Sequence, residues 1–147
     1  MGMAGAAHDI LLVEDSPGDV MLVREALSGL EAPGELHVVN DGGEALNFLR
    51  RSGNFADAPV PDLILLDLNL PVMDGREVLR ELKAHSEWRR IPVAILSTSD
   101  DEEDVRTSYE LQANCYIVKP LDMASFRRAM SALHDFWLSV VKFPPKH

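Results

Sequence analysis

One cysteine, Cys115, in 147 residues excludes an internal disulfide, and a reducing cytoplasm is the simplest compartment for such a chain. No apolar run approaches the ~18 residues that a membrane-spanning helix needs, so no membrane association is expected. The opening MGMAGAAHD lacks the basic start and long apolar stretch of a secretory signal, and residues 1–8 are expected to be a disordered lead-in. Positive charge is scarce. Fourteen Lys and Arg stand against 24 Asp and Glu, a net charge of −10. A nucleic-acid surface would be basic, so nucleic acid is not an expected partner. Neither GxGxxG nor GxxxxGK[ST] occurs, and Gly18 in EDSPGD stands alone, which removes the common nucleotide cradles. No internal repeat, low-complexity tract or linker interrupts the chain.

What is present alternates. Short apolar runs at 10–13, 36–39, 63–66, 93–96 and 115–118 read as strands. Helical spacing lies between them. Ser16-Pro17 caps and begins a first helix, with Val20, Val23, Leu27 and Leu30 on one face. Asp41 caps a second, in which Ala45, Leu46 and Leu49 face inward and Gly53 is the expected stop. Val78, Leu79 and Leu82 mark a third. A mostly polar fourth, at about 101–112, has Val105 and Tyr109 as its thin apolar side. A fifth begins near Asp122 and is expected to reach about Val141. Strands alternating with helices predict one α/β domain, a doubly wound five-stranded parallel sheet covered on both faces, over residues 9–143.

In such a sheet all strands end at one edge, where ligands bind. The residues following the apolar runs are Glu14-Asp15, Asp67, Ser97 and Lys119-Pro120. Each has an ordinary role, since carboxylates after strands often cap turns or helices. Together they put three carboxylates, a hydroxyl and an ammonium at one edge. Crowded carboxylates repel, and a hard divalent cation such as Mg²⁺ removes the conflict. A metal and a lysine neutralise phosphoryl oxygens, and a hydroxyl donates to one of them.

The motifs VED, LLDLNLPVMDG, PVAILSTS and YIVKP, in this order and spacing, resemble the receiver domains of two-component response regulators. The resemblance implies a flavodoxin-like fold with strand order 2-1-3-4-5. It implies Asp67 as phosphoacceptor and Glu14 and Asp15 as the acidic pair. Mg²⁺ would be held by Asp15, Asp67 and the Asn69 backbone carbonyl, with Glu14 acting mainly through water. Either Ser97 or Thr98 could supply the switch hydroxyl; Ser97 directly follows its strand and lies at the family's usual distance from Asp67 and Lys119. Lys119 would pair with the phosphate, Tyr116 would be the switch aromatic, and Lys119-Pro120 would be cis. The implied partner is a sensor histidine kinase. The stretches RRSGNFADAPVPDL, STSDDEEDVRTSYELQANCYIVKP and HDFWLSVVKFP resemble the small regulators paired with bacterial and cyanobacterial phytochromes, which implies a light-regulated kinase.

The fifth helix carries more apolar surface than one core absorbs. Phe126, Met130, Leu133, Trp137 and Val140 form a stripe in which Phe126 and Met130 suit core packing, but Phe136, Trp137, Leu138, Val140, Val141 and Phe143 spread around the helix. A homodimer through Phe136, Trp137, Val140 and Val141 is therefore expected. Cys115 reads as a small core residue, and His8, His37, His85, His134 and His147 show no metal spacing. Two further functions share these features. A pseudo-receiver would only bind proteins. A Mg²⁺-dependent phosphatase with an aspartyl nucleophile needs a second acid two residues later, where Asn69 stands.

Overall fold

Every residue of Leu63–Leu66 is buried, and the sheet around it shows why. The computed structural model describes residues 8–28, 35–119 and 122–136. Five strands, β1 (Asp9–Val13), β2 (Glu35–Val39), β3 (Leu63–Leu66), β4 (Val93–Ser97) and β5 (Cys115–Val118), form a parallel sheet in the order β2-β1-β3-β4-β5. The helices between them are α1 (Pro17–Ser28), α2 (Gly42–Arg50), α3 (Gly75–Ala84), α4 (Glu102–Glu110) and α5 (Met123–His134). Fold and strand order are those the sequence predicts.

Successive strand residues point to opposite faces, so the apolar runs divide into two cores. Leu11, Val13, Ile64, Leu66, Val93 and Ile95 pack with Ala45 and Phe48 of α2 and Val78, Leu79 and Leu82 of α3. Ile10, Leu12, Leu63, Leu65, Ala94 and Leu96 meet Val23, Ala26 and Leu27 of α1 and Phe126, Met130 and Leu133 of α5. Each large side chain so buried contributes about 1.5–3 kcal/mol before chain entropy is counted. The central strands β1, β3 and β4 are thus fixed from both sides.

The helix starts follow their caps. Asp41 accepts from the Glu44 N–H at 2.8 Å, Asp101 from Glu103 at 2.8 Å and Asp122 from Ser125 at 2.8 Å. Two expectations need correction. The left-handed residue that ends α2 is Arg51, at φ 58°, and not Gly53, because the Ser52 N–H already returns to the Asn47 carbonyl. On α4 the buried residue is Ser108, whose hydroxyl donates to the Asp104 carbonyl; Val105 is half-buried and Tyr109 faces outward. Ser108 can be buried because its hydroxyl is satisfied within its own helix. Leu30, the Lys119–Pro120 peptide bond, and Trp137, Val140 and Val141 with the expected end of α5 lie outside the described residues.

Gly75 begins α3 directly against the end of β3. A Cβ there would collide with the Asp67 carbonyl and the Leu68 backbone. Backbone cannot yield as a flexible side chain can, so only glycine lets α3 start this close. We expect Gly75→Ala to destabilise the protein by about 3 kcal/mol, the upper end of overpacking effects. A lower urea midpoint at unchanged slope is the signature, and an unchanged midpoint would contradict the packing read here.

Candidate functional site

The parallel ladder continues one residue past the strands and holds the site's backbone. The Asp67 N–H donates to the Val13 carbonyl at 3.1 Å, and the Glu14 N–H to Val39 at 3.0 Å. The Lys119 N–H donates to Ser97 at 2.7 Å. Each charged side chain therefore leaves from a fixed backbone at the strands' C-terminal edge. The carboxylate that follows the buried run LILL is delivered to a crevice instead of being trapped in the core.

Glu14, Asp15 and Asp67 each place a carboxylate oxygen within 4.8 Å of the other two. Glu14 is 1% exposed and Asp67 7%, while Asp15 is open to solvent. The Asn69 N–H donates to Asp67 Oδ1 at 3.2 Å, so the loop after β3 folds back on the aspartate. Lys119 Nζ contacts Glu14 Oε1 at 2.6 Å and Asp19 Oδ2 at 2.8 Å, and lies 3.9 Å from Asp67 Oδ2. An all-oxygen donor set with one solvent-facing member suits a hard divalent cation that keeps part of its water. Glu14, Asp15 and Asp67 therefore fit such an ion.

Burial pushes the Glu14 carboxyl up to about 7; the Lys119 hydrogen bond offsets this only in part, and the Asp67 charge adds to it. Burial also opposes the Lys119 ammonium. Its hydrogen bonds to Asp19 and Glu14 outweigh that and hold it above the ordinary lysine value.

Ser97 is fully buried at the end of β4, and its Oγ accepts from the Ser99 N–H at 3.2 Å. Thr98, the other candidate hydroxyl, is exposed. The Tyr116 hydroxyl donates to the Ser99 carbonyl at 2.7 Å. The Ser99 hydroxyl donates to Asp104 at 2.7 Å, and Arg76 bonds Asp104 at 2.5 Å and Asp74 at 3.2 Å. The Ser99 hydroxyl, and after it the Arg76 guanidinium, hold the Asp104 carboxyl below its ordinary range. Of the expected residues, Glu14, Asp15, Asp67 and Lys119 come together with one unforeseen partner, Asp19, while Ser97 and Tyr116 meet at Ser99 with two more, Asp104 and Arg76. Asp19 was visible in EDSPGD but reads there as a helix-start acid. At the opposite edge His37 Nε2 lies 3.1 Å from Asp9 Oδ1, a proximity that no sequence spacing indicated.

Such a crevice, with buried acids, a lysine and a hydroxyl at the ends of β1, β3, β4 and β5, is that of a receiver. Residues 10–131 match the response regulator receiver domain family, and the chain belongs to it. Among its relatives is the response regulator Rcp1 of Synechocystis sp., 46% identical over 135 residues that cover 92% of each chain. The phosphorylated cyanobacterial phytochrome response regulator RcpA superposes with a TM-score of 0.90 at 46% identity, covering 95% of this chain and 100% of its own. A Mn²⁺-bound form of Rcp1 does so at 0.88 and 45% identity, over 94% and 99%. The protein is thus a receiver-type signalling module closely related to phytochrome response regulators. Among the described residues no helix is long and apolar enough to cross a membrane.

The Glu14 shift predicts a pH dependence with a definite sign. Its folded value, about 7, lies above the ordinary 4.5, so between these the folded state holds more proton. This contribution to stability is full below about 4.5 and is lost as pH rises through about 7. Without metal, the urea midpoint is expected to fall from pH 5 to pH 8, and the Glu14 part of that fall should vanish in Glu14→Gln. Adding Mg²⁺ or Mn²⁺ at pH 8 should restore it. An unchanged slope in Glu14→Gln would contradict the assignment.

Proposed function

We propose that this protein is cytoplasmic and that its Asp67 accepts a phosphoryl group from the phosphohistidine of a sensor histidine kinase, one of phytochrome type. The observation that carries this reading is the placement of Asp67: nearly buried, at the end of β3, within 4.8 Å of Glu14 and Asp15 and 3.9 Å from Lys119. The likeness to phytochrome response regulators supports the choice of kinase.

In the transfer, an Asp67 carboxylate oxygen forms a bond to phosphorus as the phosphorus–nitrogen bond breaks and the imidazole leaves. Glu14, Asp15, Asp67 and the Asn69 carbonyl would hold Mg²⁺, which when bound neutralises phosphoryl oxygens and charge in the transition state. Asp67 is positioned by its ladder bond and by the Asn69 N–H, so little orientation is left to be fixed during reaction. Lys119 supplies a positive charge to the new phosphoryl group. Ser97 accepts from the Ser99 N–H, which leaves its own proton to donate to a phosphoryl oxygen. Tyr116 then registers the closure through its bond to the Ser99 carbonyl. Later attack by water returns the aspartate.

Incubation with Mg²⁺ and a small phosphodonor should add one phosphoryl group to the protein and none to Asp67→Asn, with chelator suppressing the reaction. A pseudo-receiver would gain none, and a phosphatase would turn over many donors. Label on Asp67→Asn would overturn the assignment.

We further infer a homodimer through the end of α5. Phe136 is 54% exposed there, beside Ala129, Ala132 and Leu133, and the sequence continues with Trp137, Val140 and Val141. Burying large apolar groups is worth about 1.5–3 kcal/mol each. Changing Trp137 and Val141 to polar residues is expected to give a monomer by sedimentation that still accepts phosphate. A wild-type monomer at tens of micromolar, phosphorylated or not, would contradict this.

A further inference from the structure

Lys119 has one ammonium and three carboxylates within 4.0 Å, and it does not treat them equally. It is hydrogen-bonded to Glu14 at 2.6 Å and Asp19 at 2.8 Å, while Asp67 stands at 3.9 Å, beyond hydrogen-bond reach. We propose that Asp19 is a positioning residue that draws Lys119 away from Asp67 at rest and is the contact surrendered when a phosphoryl group arrives. The proposal rests on the reading of Asp67 as phosphoacceptor and assigns a role to a residue outside that reaction.

The two carboxylates that hold Lys119 differ in how readily they can release it. Glu14 is 1% exposed, and its second oxygen takes the Ser16 N–H at 3.3 Å. Left without the ammonium, this buried carboxylate would lose a 2.6 Å charge-assisted hydrogen bond that water cannot reach in to replace, a costly loss. The Asp19 side chain is 33% exposed and sits in the first turn of α1, a turn closed independently by the Asp19 N–H on Ser16 Oγ at 3.3 Å. Water can rehydrate its carboxylate, and the turn keeps its own bond. A phosphoryl group on Asp67 brings more negative charge than the carboxylate it replaces, so it attracts the ammonium more strongly. Of the two holders, Asp19 is therefore the one that yields.

It follows that Asp19 opposes the phosphorylated arrangement. Asp19→Asn keeps the shape but removes the competing charge, and Lys119 then needs to give up less to reach the phosphoryl group. The probe is beryllofluoride with Mg²⁺, a tetrahedral stand-in for the phosphoryl group, followed by fluorine NMR on the full chain. Asp19→Asn is expected to bind it about fivefold more tightly than wild type, the scale of one partly exposed ion pair. Asp19→Glu keeps the charge and should return to wild-type affinity. Mg²⁺ affinity alone should be nearly unchanged, because Asp19 is not in the metal-binding cluster; a diffuse field effect would instead weaken Mg²⁺ while strengthening the anion.

Equal or weaker beryllofluoride binding by Asp19→Asn overturns the proposal. So does a gain accompanied by a matching loss of Mg²⁺ affinity. Failure of the wild-type protein to bind beryllofluoride would overturn the phosphoacceptor reading itself, so the two failures are distinguishable.

Discussion

A carboxylate and an ammonium taken out of water together lose several kcal/mol of hydration each, and their attraction offsets this only when the geometry is good. Lys119 and Glu14, 2.6 Å apart and both nearly inaccessible, meet that condition at the edge of the sheet. Without the lysine, Glu14 and Asp67 would face each other as like charges in a desolvated crevice, and one would hold a proton. With it, the acids are gathered but not fully compensated, since the Glu14 carboxyl still sits at about 7. The incompleteness is useful chemistry. A site that keeps net negative charge suits a divalent cation, whereas without the lysine that charge would be reduced by a bound proton. The pair is better understood as a device for holding negative charge ready than as a source of stability.

That device works because the backbone beneath it is held on several sides. Asp67, Glu14 and Lys119 are each tied to a neighbouring strand by a main-chain hydrogen bond. Their strands are clamped between α1 and α5 on one face and α2 and α3 on the other. Gly75 lets α3 begin against the Asp67 carbonyl, so the helix and the end of β3 are in direct contact. The loop between them is strained: Val72 takes φ 68° and the Met73 N–H closes on the Pro71 carbonyl at 2.7 Å. The rigid sheet and the tight loop divide the work: one fixes the acids, the other shapes the approach to them.

The sheet was legible in the sequence because a strand covered on both faces must be apolar throughout, and LILL, ILLV and VAIL are. Strand ends were legible for the same reason, since the first polar residue after each run marks the common edge. Asp67, Glu14, Asp15, Ser97 and Lys119 were found in this way. Which partner a side chain takes was not legible. Asp19 and Lys119 are 100 residues apart, and Arg76 and Asp104 are 28 apart. Asp19, Arg76 and Asp104 all sit on helix first turns, where an acid already has an ordinary explanation and an arginine reads as solvated. The end of α2 was misplaced for a related reason. Glycine has the stronger left-handed preference, but Arg51 stands where the helix's geometry requires the turn.

The polar contacts around Asp67 leave the site in two directions. One passes from Lys119 through Asp19 into the first turn of α1, which lies against α5 and meets it again where Arg127 bonds Glu25 at 2.9 Å. The other passes from Ser97 through Ser99 to Tyr116 on β5, and through Asp104 to Arg76 at the start of α3. The first is a competition for one cation, and the second is a set of hydrogen bonds meeting at one residue. Competition responds to charge and distance and needs no directed hydrogen bond, so a phosphoryl group on Asp67, as proposed, would shift it. Hydrogen bonds to Ser99 respond to position, so they register whether the Ser97 hydroxyl has been engaged. A receiver that couples both would distinguish a correctly seated phosphoryl group from an anion merely present in the crevice. The α1–α5 side and the β5–α4 side of the molecule are then informed by different physical events at one aspartate.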